Sequence, residues 1–178
     1  MPDLFDYVMV DNIFTKEECE RYMKKINENE WQTHNWYGHG TDEYSSINDF
    51  SVTYDSDVQE WMLETMVKYV GKYLKIHQYL DTQFFSGVKF NKYNIGESMK
   101  QHIDHIYCLF DGERKGIPVL SFIGVFNDDY EGGDFMLCGK KIELKQGDCV
   151  IFPSVFLYPH EVTPITKGTR YSWVLWSW

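Results

Sequence analysis

Beyond residue 82 the chain becomes a run of short β-prone segments cut by turn signals at Gly132-Gly133, Cys138-Gly139, Gln146-Gly147-Asp148 and Lys167-Gly168. This punctuation constrains the fold more than any other feature. Segments so short cannot bury an apolar face alone, so they must pair with one another and close into a sandwich or barrel. The candidate strands are 83–93, 101–108, 118–127, 133–138, 140–144, 148–152, 158–164 and 169–177. Eight such strands following two helices predict a mainly β fold, a jelly-roll barrel with helical buttresses.

The N-terminal half reads differently. A short strand is expected at 7–10. Thr15 and Glu18 then form a capping box, and Cys19, Tyr22, Met23 and Ile26 recur at helical spacing, which predicts a helix over 16–28. A second helix is expected from Ser56, with Gln59 completing another capping box. Its broad apolar stripe is Val58, Trp61, Met62, Met66, Tyr69, Val70, Tyr73 and Leu74, as suits a helix laid on a sheet. Between them, residues 31–55 carry Trp31, His34, Trp36, Tyr37, His39 and Tyr44 without a period and read as a loop. With no linker or repeat, 1–178 is expected to form a single domain, its helical part at about 1–81 and its barrel core at about 82–178.

Charge and cysteine usage narrow the function classes. The formal net charge is −10 and no basic cluster occurs, which disfavours a nucleic-acid partner, because phosphate binding draws on grouped Lys and Arg. The four cysteines, Cys19, Cys108, Cys138 and Cys149, form no C-x-x-C pair and are expected to be free thiols. The N-terminus lacks the basic and apolar regions of a signal peptide, and no apolar run approaches the roughly 18 residues of a membrane span. These features predict a cytoplasmic protein with no membrane partner. They leave its oligomeric state open.

The chemistry concentrates in the barrel half. In His102-Ile-Asp104, strand alternation would project an imidazole and a carboxylate to the same face. With His160 from a later strand they make two imidazoles and one carboxylate, a facial set that leaves positions open on an octahedral iron. Zinc more often takes a closed tetrahedral site with Cys or a third His. Arg170, ten residues past His160, can bind the far carboxylate of a dicarboxylate bidentately. Lys167 is placed in a turn and is expected to face water. Ser172 shares Arg170's strand face, and Tyr93 and Asn91 share another, so all three are candidate co-substrate contacts.

The segment from Tyr93-Asn-Ile-Gly96 through His102-Ile-Asp104 resembles the first core strands of prolyl 4-hydroxylase-like 2-oxoglutarate oxygenases. Residues 126–135, 146–153 and 160–171 resemble that family's later segments in the same order. The resemblance implies a double-stranded β-helix, iron(II) held by His102, Asp104 and His160, and 2-oxoglutarate bound with Arg170 and Tyr93. It also implies O2 as co-substrate, ascorbate as a candidate reductant, and succinate and CO2 as co-products. Val125 stands where some protein hydroxylases of the family have a Tyr, and Asn91-Lys92-Tyr93 resembles the N-x-Y pair of the nucleic-acid demethylase branch. The expected reaction is hydroxylation of a protein or peptide residue, with proline the leading target. An oxidative nucleic-acid demethylase and a non-catalytic cupin-type metal-binding module are the alternatives. Candidate substrate contacts are Trp36, Tyr37 and Arg114, on loops expected at the barrel mouth.

Overall fold

The computed structural model describes residues 3–34, 50–78, 80–82, 84–104 and 116–178. A 3-10 turn at Leu4–Tyr7, capped by the Asp3 carboxylate, leads into β1 at Met9–Asn12. The strand expected at 7–10 therefore starts later, because Asp3 and Asp6 cap a turn there. Helix α1 (Lys16–Ile26) opens on the expected capping box. The Glu18 N–H donates to Thr15 Oγ1 at 3.2 Å and the Thr15 N–H to Glu18 Oε2 at 2.8 Å. Cys19, Tyr22 and Ile26 form its buried face.

Two short strands, β2 (Gln32–Thr33) and β3 (Ser51–Thr53), lie inside the span read as loop. Helix α2 runs Ser56–Ile76. Its cap is Asp55, whose carboxylate accepts from the Val58 N–H at 2.9 Å, and not Ser56. Gln59 completes no box either. Its Oε1 accepts from the Val88 N–H at 2.9 Å and so ties the helix to the barrel. Val58, Met62, Met66, Tyr69, Val70 and Tyr73 are buried, each such apolar side chain contributing about 1.5–3 kcal/mol. The Tyr69 hydroxyl anchors the helix further, reaching the Met9 and Cys149 carbonyls at 3.0 and 2.9 Å.

The remaining strands are β4 (Lys89–Tyr93), β5 (Met99–His102), β6 (Leu120–Val125), β7 (Glu131–Gly132), β8 (Phe135–Leu137), β9 (Lys140–Ile142), β10 (Asp148–Pro153), β11 (His160–Val162), β12 (Ile165–Lys167) and β13 (Arg170–Ser177). They form an antiparallel seven-stranded sheet in the order β1-β10-β6-β13-β4-β3-β2 and a four-stranded sheet in the order β5-β11-β8-β9. The pair β12-β7 stands apart. This is the expected jelly-roll, with one change in its division of labour. The N-terminal part supplies β1, β2 and β3 to the large sheet as well as the two helices.

The large sheet has two buried faces, so side-chain alternation sorts its residues into two compartments. On β13, Trp173 and Leu175 point with Phe90 of β4 into an apolar layer shared with α1 and α2. Arg170, Ser172, Val174 and Trp176 point the other way, into the space between the sheets. Lys89, Asn91 and Tyr93 of β4 face that same space, because the register sets Arg170 opposite Tyr93 and Ser172 opposite Asn91.

Candidate metal and co-substrate site

Three ligand-type side chains converge between the sheets. The potential ligand atoms of His102, Asp104 and His160 all lie within 4.8 Å of one another. Each His Nε2 is 3.6 Å from Asp104 Oδ1, and the two imidazole centroids are 4.2 Å apart. The ladder explains the convergence of the imidazoles, since His160 of β11 pairs directly with His102 of β5. Asp104 arrives by another route than expected. β5 ends at His102, so Asp104 lies past the strand and alternation does not aim it. A buried hydroxyl does. Ser121 of β6 donates to Asp104 Oδ2 at 2.6 Å and is itself 2.7 Å from the Ser154 hydroxyl.

The protonation pattern suits a cation. His102 Nδ1 lies 2.8 Å from the Lys100 carbonyl and His160 Nδ1 lies 3.1 Å from the Tyr158 carbonyl. A carbonyl can only accept, so each Nδ1 carries the proton and each Nε2 presents a lone pair toward Asp104. Burial alone would raise the Asp104 carboxyl, but His160, His102 and the Ser121 hydroxyl more than offset it and hold the group below its usual range. Burial lowers His160, and the Asp104 charge offsets this only in part. An ionised carboxylate beside a neutral imidazole is the state in which such groups ligate metals.

A second feature shares the cavity. Arg170 is 1% exposed, with its Nη1 donating to Ser172 Oγ at 2.7 Å and its guanidinium carbon 5.2 Å from the Tyr93 ring centroid. Its Nε and Nη2 are buried with no hydrogen-bond partner among the described residues. A buried charged donor without an acceptor is costly, so this pair of N–H groups is built for an anionic guest. Asn91 Oδ1, also buried, likewise has no partner among the described residues. The Tyr93 hydroxyl donates to the Met99 sulfur at 3.6 Å, a weak acceptor that an incoming oxygen would outcompete. The donor set and these open N–H groups fit an octahedral metal together with a dicarboxylate.

The sequence-derived residues His102, Asp104, His160, Arg170, Tyr93, Asn91 and Ser172 thus share one cavity. Lys167 points outward, as expected, and pairs with Glu131 at 2.7 Å. Trp36, Tyr37 and Arg114 lie outside the described residues. Two participants were missed. Ser121 had a signal, being the polar residue in the buried strand Leu-Ser-Phe-Ile-Gly-Val. Lys89 had one as well, because it stands two and four residues before Asn91 and Tyr93 and so shares their face.

Comparison with known proteins agrees with this geometry. Residues 88–178 match the family model described as the 2OG-Fe(II) oxygenase superfamily. A PKHD-type hydroxylase of Pseudomonas aeruginosa (strain LESB58) is 28% identical over 176 residues, covering 93% of this chain and 75% of that protein. The viral collagen prolyl hydroxylase of Paramecium Bursaria Chlorella virus-1 superposes with a TM-score of 0.71 at 16% identity, covering 96% and 94% of the two chains. A Trichoplax adhaerens prolyl hydroxylase, solved with a peptide fragment of hypoxia inducible factor, gives 0.70 at 17% identity, covering 97% and 83%. At these identities the structural matches speak for the fold.

Proposed function

This chain belongs to the 2OG-Fe(II) oxygenase superfamily, and we propose that it hydroxylates a prolyl residue of a protein or peptide. The observation that carries the reading is one cavity holding both a His-Asp-His cluster and an arginine with two buried, open N–H groups. A metal-binding module without turnover has no use for the second feature. The hydroxylase names of the relatives support the reaction, and the peptide bound by the Trichoplax protein supports the substrate class.

In this reading His102, Asp104 and His160 would hold iron(II), which would supply open positions for guests. Arg170 takes the distal carboxylate of 2-oxoglutarate through Nε and Nη2, while Ser172 and the Tyr93 ring keep the guanidinium in place. The Tyr93 hydroxyl and Asn91 complete that end. The bound metal and 2-oxoglutarate supply the oxidation, in which O2 gives one oxygen atom to a substrate C–H bond and one to succinate, with release of CO2. Ile123, Phe135, Val174 and Trp176 wall the cavity and keep water from competing. Ascorbate would serve as an external reductant for the metal. Trp36, Tyr37 and Arg114 are kept as candidate substrate contacts, and residues 1–178 are read as one catalytic unit. No described helix is long and apolar enough to cross a membrane. The free thiols of Cys19, Cys138 and Cys149 support a reducing, cytoplasmic setting.

The test is succinate release in the presence of proline-containing peptides or methylated single-stranded oligonucleotides, with mass spectrometry of the peptide for a single added oxygen. Peptide-stimulated release with that mass change is expected. Stimulation by the oligonucleotide alone would sink the prolyl reading.

A further inference from the structure

The cavity contains a second basic side chain that the scheme above does not use, one whose ammonium burial pushes down. Lys89 opens β4, and its side chain faces the space between the sheets together with Asn91 and Tyr93. It stands opposite Val174, four ladder positions from the Tyr93–Arg170 pair, or roughly 13 Å along the strand. Its ammonium lies 5.3 Å from the centroid of the Trp176 ring. Among the described residues no carboxylate comes within ion-pair distance of it. Asp104 acts on it only at longer range, and its Oδ2 is taken by Ser121.

The fold does not call for a charge at this position. The neighbouring walls are Ile123, Val174 and Trp176, so a methionine or leucine would pack there without the cost of withdrawing an ammonium from water. A lysine kept in such surroundings has its charge offset by the ring face of Trp176 and by whatever anion enters. The two basic side chains therefore divide the cavity, Arg170 at one end and Lys89 four ladder positions away.

Resting on the oxygenase reading above, we propose that Lys89 is a specificity-determining residue whose ammonium receives a carboxylate of the substrate. The preferred substrate then carries a carboxylate on, or beside, the residue that is hydroxylated. Two sources share this chemistry: the side chain of an adjacent Asp or Glu, and the free α-carboxylate of a C-terminal or free residue.

Matched probes separate them. N-acetyl-Pro-Glu-amide is compared with its Gln counterpart, and N-acetylproline with N-acetylprolinamide. Binding is read from paramagnetic broadening of the probe's proton signals on protein loaded with manganese(II) and N-oxalylglycine, which needs no turnover. Wild type should bind the carboxylate member of one pair at least tenfold more tightly than its amide. Lys89→Met should bind both members as weakly as the amide, and Lys89→Arg should keep most of the preference. The pair that shows the preference names the source. Equal binding within both pairs, or no binding of any probe at millimolar concentration, would overturn the proposal. So would loss of N-oxalylglycine affinity in Lys89→Met, which would assign the ammonium to the co-substrate. A carboxylate preference without peptide-stimulated succinate would leave Lys89 in this role and defeat the prolyl reading. Prolyl turnover indifferent to the carboxylate would do the reverse.

Discussion

Arg170 and Tyr93 stand opposite each other in the β4–β13 ladder, with the guanidinium carbon 5.2 Å from the centre of the phenol ring. The ring supports one face of the guanidinium and Ser172 takes Nη1, which fixes the plane in which Nε and Nη2 point. Orientation of this kind is what separates an arginine clamp from a mobile surface cation.

Replacing Arg170 with Ala should weaken 2-oxoglutarate binding by about 2–5 kcal/mol, because the carboxylate loses its charged partner in a buried site. Calorimetric titration of the manganese-loaded protein with 2-oxoglutarate measures this. Metal affinity should hardly move. An equal fall in metal affinity would show that Arg170 supports the cluster or the fold instead.

Ser121→Ala tests whether Asp104 is aimed by its hydrogen bond. Removing the hydroxyl leaves Oδ2 free to turn, and an outer partner of a ligand is typically worth a factor of about 10 to 100 in metal affinity. Iron(II) titration should show a loss of this order, whereas Asp104→Ala should abolish succinate formation. Unchanged affinity in Ser121→Ala would mean that the loop alone positions the carboxylate.

His34 should make the metal-free protein sensitive to mild acid. Its ring stacks on Phe50 at 4.4 Å and 13°, and burial, Lys89 and His102 push it down to about 4. The unfolded chain, with an ordinary value near 6.5, binds a proton first as pH falls. Stability is therefore fully present above about 6.5 and declines toward 4. Urea unfolding at pH 7 and pH 5 measures the drop, to which His160 adds in the same direction. His34→Phe keeps the stack without the titration and should flatten the slope. An unchanged slope in that variant would exclude His34 as a source.

Gly124 pairs with Trp173 across β6 and β13, and a Cβ there would enter the indole ring. Trp173 is fully buried, with Phe14 6.1 Å away edge-on, so it has nowhere to go. Gly124→Ala should cost about 1–3 kcal/mol by overpacking, seen as a lower denaturation midpoint. Wild-type stability in Gly124→Ala would show that the indole can shift.

The sequence by itself determined what depends on near neighbours along the chain. Turn residues set where strands end, and alternation put Arg170 and Ser172 on one face and Asn91 and Tyr93 on another. The cap at Thr15 also follows from local spacing. Tertiary structure decided which distant groups meet. Asp104 lies beyond β5, and its aim comes from Ser121, seventeen residues on. Gln59 serves Val88 and not its own helix, so the cap passes to Asp55. β1 and β3 join the large sheet because β10 and β4 offered edges, which no property of residues 9–12 or 51–53 encodes alone. Alternation alone puts Lys89 on the face of Asn91 and Tyr93, and the β4–β13 register turns that face inward. Periodicity tells which residues share a face, while the pairing of strands far apart in the chain decides whether that face meets water or the metal cluster.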